Sequence, residues 1–122
     1  MKLLFFIYFF FSITPVQDLL PYDPAKVSTK QELNFYKTDK RGIKYKGVVY
    51  YVESNLNTVT AYQKKGSVKW KSDVSDAFKY AIGLPKIRFI KIEKDRLAVV
   101  YAKHDFGEID LKTGKVTSLG SD

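Results

Sequence analysis

A chain of 122 residues with 45% hydrophobic and 16% aromatic side chains is long enough to bury one core and too short for two ordinary domains. It contains no cysteine, which excludes a disulfide framework, a thiolate metal site and the cysteine lipid anchor of a bacterial lipoprotein. The formal net charge is +8, and an excess of scattered lysine reads first as a solvated surface and second as a face for anionic partners.

Lys2 precedes the apolar run from Leu3 to Val16, with Phe5, Phe6, Phe9, Phe10 and Phe11 at its heart. A cation followed by such a stretch has the n-region and h-region of a secretory signal. A permanent span would need about 20 apolar residues. No A-x-A-like cleavage site follows, so residues 1–17 read as a signal peptide or as an uncleaved N-terminal anchor. Either one sends the domain out of the cytoplasm, to a periplasmic, cell-surface or secreted location. Export argues against nucleic acid as the partner, and it allows membrane contact only through an uncleaved N-terminus.

Residues 18–30 hold Pro21 and Pro24, are aperiodic and read as a linker, which leaves 31–122 as a single β domain. Leu33–Tyr36 fits a short strand. Tyr45 to Glu53, with Val48-Val49-Tyr50-Tyr51-Val52 at its centre, is apolar on both faces and fits one interior strand. Ser54–Asn57 turns the chain, Thr58 to Gln63 alternates, and Lys64-Lys65-Gly66 turns it again. Val68 and Trp70 then point one way and Lys69 and Lys71 the other. Val74, Ala77, Phe78, Ala81 and Ile82 fall at the spacing of one helix face, with Ser72 or Asp73 to cap, Gly83 to end it and Pro85 to forbid continuation. That spacing predicts an α-helix over 73–82. Strands resume over Ile87–Ile92, Leu97–Ala102, Phe106–Leu111 and Val116–Leu119, with turns at Lys94-Asp95, Lys103–Asp105 and Thr113-Gly114.

The two strand groups match without a gap when Gly66 is set on Gly114. Val49 then lies on Leu97, Tyr51 on Val99, Ala61 on Ile109 and Val68 on Val116, giving units of about 31–71 and 86–119. The stretch Thr60-Ala61-Tyr62-Gln63-Lys64-Lys65-Gly66-Ser67-Val68-Lys69-Trp70 resembles the blade repeat of quinoprotein (PQQ)-type β-propellers, whose Trp follows a turn Gly by four residues. Ile109 to Val116 keeps the strand end and the turn, with Ser118 where the Trp would stand. The resemblance implies an all-β, mainly antiparallel fold of two propeller-blade-like sheet units joined by one short α-helix. It implies no quinone chemistry, because two blades cannot close a ring around a cofactor channel.

His104 is the only histidine and falls in a turn, without a second ligand or a nucleophile elbow to work with. Asp105, Glu108 and Asp110 are the densest acidic group, and alternation turns Glu108 and Asp110 outward beside Lys112. No phosphate-binding glycine loop occurs. Lys69, Trp70, Lys71 and Arg88 are the candidate binding face, since cations interleaved with aromatics can hold polyanions. Trp70 shares a strand face with Val68, and the blade resemblance implies that its ring is buried against the second unit or the helix. The expected function is an exported, non-enzymatic interaction or assembly module, with no catalytic, cofactor or metal residues. Its expected partner is another envelope or cell-surface protein. The alternative is a basic face for anionic polymers or lipid surfaces.

Overall fold

The computed structural model describes residues 19–121, so the expected signal or anchor over 1–17 lies outside the described residues. Ten strands form two five-stranded sheets. The first sheet holds β1 (Val27–Ser28), β3 (Gly42–Tyr45), β4 (Val48–Val52), β5 (Thr58–Tyr62) and β6 (Val68–Asp73), in the order β1-β3-β4-β5-β6. The second holds β2 (Glu32–Asn34), β7 (Ile87–Glu93), β8 (Arg96–Tyr101), β9 (Asp105–Asp110) and β10 (Val116–Ser121), in the order β10-β9-β8-β7-β2. Every pairing is antiparallel except β1 with β3, where Val27 stands beside Gly42.

The single strand expected from Tyr45 to Glu53 is instead the end of one strand and the whole of another. Lys46 and Gly47 both take positive φ, 51° and 80°, and close a two-residue hairpin in which Tyr45 pairs with Val48. Such a turn matches the twist of the strands it joins. β4 is interior, as its two-sided apolar character requires, with β3 and β5 on its flanks.

Alternation sorts β4 onto two faces. Tyr50 and Val52 enter the main core with Ile43, Val59, Ala61 and Trp70, and meet Ile90, Leu97, Val99, Tyr101 and Ile109 from the other sheet. Val49, Tyr51 and Tyr62 form a second cluster on the outer face, packed by Tyr22 and Val27. The Tyr22 ring lies 5.6 Å from Tyr51 and 5.0 Å from Tyr62. The segment read as a linker over 18–30 thus supplies the edge strand β1 and the cover of that outer face.

The α-helix expected over 73–82 is absent. Ala77 N–H donates to Val74, Phe78 N–H to Ser75 and Ala81 N–H to Phe78, each three residues back, so the segment is a run of turns. Asp73 closes β6 and spends its carboxylate on the N–H and hydroxyl of Ser75, at 2.8 and 2.6 Å, which favours a local Asx turn over helix propagation. Those bonds hold the Asp73 carboxyl below its usual range. Of the periodic residues Val74 and Phe78 are buried in the core, and Ala77 and Ala81 pack against it only partly buried. Ile82, on the same predicted face, is 75% exposed.

The gap-free match between the halves also needs correction. Strand bounds do recur 48 residues apart, as Val68–Asp73 against Val116–Ser121 shows. Facing does not follow them in β4 and β8: Val49 lies in the outer cluster and Leu97 in the main core. By pairing and orientation Tyr50, opposite Ala61, corresponds to Leu97, opposite Ile109, so the intervening turn differs by one residue. Val116, opposite Ile109, occupies the place that Trp70 holds opposite Ala61. Ser118 is exposed. Nor does the first unit of about 31–71 stay in one sheet, because β2 pairs with β7 in the second.

Candidate functional site

The four candidate residues part company in the fold. Lys69 and Lys71 are exposed on β6, an edge strand of the first sheet. Trp70 turns the opposite way and is 8% exposed. Its ring lies 5.9 Å from that of Tyr50, and its Nε1 donates to the carbonyl oxygen of Leu111 at 2.8 Å. The indole is therefore a sheet-to-sheet fastener and no stacking platform. Gly114, at φ 80°, lies against it, and a Cβ there would come within 2.7 Å of the ring.

Arg88 sits on β7 of the second sheet. Its Nε donates to the Ala102 carbonyl and one terminal nitrogen to that of Lys103, both at 2.6 Å. The guanidinium is thereby held in one orientation across the end of β8, where Ala102 takes positive φ of 53°. It lines a groove of about 410 Å³ together with Tyr36, Gly83, Leu84, Ala102 and Lys103. A smaller groove of about 130 Å³ shares Tyr36 and Arg88 and adds Phe35, Arg41 and Lys86. Neither groove includes Lys69 or Lys71.

Two of the lining side chains are large, apolar and left in water: Tyr36 is 65% exposed and Leu84 69%. Tyr80 and Ile82, just ahead of Leu84 in the same loop, are 87% and 75% exposed. Single exposed hydrophobes are ordinary, but several within one short loop mark a contact surface. Cations accompany them: Lys86 Nζ lies 5.4 Å from the Tyr36 ring centre and Lys79 Nζ 5.5 Å from that of Tyr80. The Arg41 guanidinium stacks 4.4 Å over Phe35, with one nitrogen buried and unpaired, and burial lowers its pKa.

The loop that carries Tyr80 to Leu84 has no regular structure, yet it is tied down. Lys103 N–H donates to the Ile82 carbonyl and Lys86 N–H to that of Leu84. Phe78 beneath it is buried and stacks on Tyr101 at 4.8 Å with the rings 16° apart. Sequence reading assigned Ala81 and Ile82 to a helix face and so missed this loop. The signal that could have found it was Tyr80, Ile82 and Leu84 alternating with Ala81 and Gly83 ahead of Pro85.

The remaining polar candidates are engaged elsewhere. Glu108 accepts both bonds from the Arg96 guanidinium at 3.0 Å. Asp110 accepts the N–H groups of Thr113 and Lys112, which hold its carboxyl below the usual range. His104 is exposed in the β8–β9 turn. Among the described residues no group of three or more His, Cys, Asp or Glu is placed to hold a metal ion, and no helix is long and apolar enough to cross a membrane.

In comparisons with known proteins, no family model and no curated protein matches the chain.

Proposed function

We propose that the chain is a non-enzymatic interaction module, exported by its N-terminal segment, whose contact surface is the end of the sandwich formed by Tyr36, Tyr80, Ile82, Leu84, Arg88 and Lys103. The observation that carries this reading is the pair of exposed apolar side chains, Tyr36 and Leu84, that share a groove with a guanidinium fixed on two backbone carbonyls, with exposed Tyr80 and Ile82 in the loop that leads to Leu84. Apolar area left in water is a cost that folding does not require, and a partner that covers it recovers about 25 cal/mol per Å². A fixed guanidinium selects an anionic partner group at little ordering cost.

The blade resemblance belongs to the same proposal. Two four-stranded antiparallel meanders, β3 to β6 and β7 to β10, support it, and the shifted facing of β4 against β8 limits it to a distant likeness. Export rests on Lys2 and the Phe-rich run. A reporter fused behind residues 1–22 should cross the membrane, and its retention in the cytoplasm would overturn that part of the reading.

The contact surface is tested by photo-crosslinking in the native cell. A crosslinker in place of Leu84 should yield adducts, and one in place of exposed Lys112, on the β9–β10 turn, should yield none. Equal labelling at both sites, or none at either, rejects the surface.

A further inference from the structure

Resting on that contact surface, we infer that its occupant is an anionic lipid bilayer, into whose interface the Tyr80–Leu84 loop inserts. Tyr80, Ile82 and Leu84 alternate along the loop and are 87%, 75% and 69% exposed. The residues between them, Ala81 and Gly83, add little bulk. The loop forms no strand, so it offers a protein partner no ladder to extend. Three apolar side chains standing this far into water on one short loop suit a fluid medium. Tyr80 brings an amphipathic ring of the kind that settles at headgroup depth.

Charge around the tips has the matching sign. Residues 75–86 contain Lys79 and Lys86 against the single acid Asp76, and Arg88 and Lys103 line the adjoining groove. Each lysine close to an anionic leaflet strengthens binding by about fivefold, the equivalent of about 1 kcal/mol. The loop is also held in place before it binds, by the bonds from Lys103 to Ile82 and from Lys86 to Leu84 and by buried Phe78 beneath it. Insertion then orders little that was not already ordered.

The test is flotation of the domain with vesicles of phosphatidylcholine alone and of phosphatidylcholine mixed with equal phosphatidylglycerol. Binding is expected to the mixed vesicles only, and to weaken as salt rises. The pair Ile82→Ser and Leu84→Ser should weaken it roughly tenfold or more. The pair Lys79→Gln and Lys86→Gln should weaken it and flatten its salt dependence. Lys79, Ile82 and Leu84 are exposed and Lys86 is half-buried, so retention of buried-Trp70 emission certifies that each variant is folded. In a Tyr80→Trp variant the added emission should shift to the blue with mixed vesicles and stay unshifted with phosphatidylcholine. No flotation with the mixed vesicles, or equal flotation of the serine variant, overturns the inference. If the Leu84 crosslinker captures a protein while vesicles are not bound, the contact surface stands and the bilayer does not. If neither occurs, both fail.

Discussion

The indole nitrogen of Trp70 donates to the carbonyl of Leu111, 41 residues further along the chain, and this one bond ties the edge strand of the first sheet to the last hairpin of the second. Its ring is 8% exposed and fills the space that a side chain on Gly114 would need. Trp70→Ala should therefore destabilise the domain by about 3–5 kcal/mol, measured by urea unfolding. Ser118→Ala, at an exposed position outside the core, should change stability by under about 0.5 kcal/mol.

Gly107 faces Phe78 so closely that a Cβ would stand 2.5 Å from the Phe78 ring and 2.9 Å from the Thr117 carbonyl. Gly107→Ala should cost about 1–3 kcal/mol through overpacking. Combined with Phe78→Ala it should cost less than the sum of the two single changes, because the clash with the ring is gone. Strict additivity in the double-mutant cycle would mean that the backbone contact alone sets the penalty.

The alkaline limit of stability should be set by buried tyrosines. Tyr62 is pushed up to about 12 by burial and by its hydrogen bond to Glu53, and burial raises Tyr50, Tyr51 and Tyr101 in the same direction. A phenol that holds its proton more tightly when folded contributes stability that is complete below the unfolded value of 10.0 and is lost as pH rises through the folded one. Unfolding free energy should accordingly fall between pH 10.0 and about 12. Tyr62→Phe should make that fall shallower, as read by denaturant titration across the range.

Lys46 adopts φ 51° ahead of Gly47 at 80°, a conformation that asparagine tolerates better than lysine. Lys46→Asn should raise stability by about 0.5–1 kcal/mol. No change in the urea midpoint would mean that lysine bears no strain there.

What the sequence made legible follows from how locally each feature is decided. Strand positions from Thr58 onward rest on two-residue alternation and turn glycines, and they agree with the structure closely. The burial of Trp70 was implied by the blade resemblance. Alternation alone set Val68 on the same face, yet Val68 is 56% exposed, because the pairing of β5 with β6 shifts register between Trp70 and Val68. The Lys46-Gly47 hairpin was hidden because apolar residues continue on both sides of it and its first turn residue is a lysine. The helix over 73–82 was over-read: Val74 and Phe78 are core residues, but Asp73 serves a turn, and too few apolar contacts remain to offset the cost of nucleation. The two-sided apolar character of β4 signalled that its outer face needed a cover. Only tertiary structure reveals that Tyr22 supplies it. At the surface, Arg88 was singled out as a cation beside Phe89, whereas its orientation depends on the carbonyls of Ala102 and Lys103, which pairing with β8 brings to it.

The placement of β2 has a consequence for how the chain divides. Glu32–Asn34 precedes the whole first meander yet pairs with Lys91, Ile90 and Phe89 of the second, so the polypeptide crosses between sheets on either side of it. Cutting the chain within 74–86 would not release two self-sufficient halves. The C-terminal piece would keep four strands and lose its outermost one, and the N-terminal piece would carry that strand with no sheet to join. Two such pieces should reassociate by strand donation. In the intact chain the same short strand can be lent to a second copy, which makes residues 35–41 the hinge across which an exchanged dimer would form at high concentration.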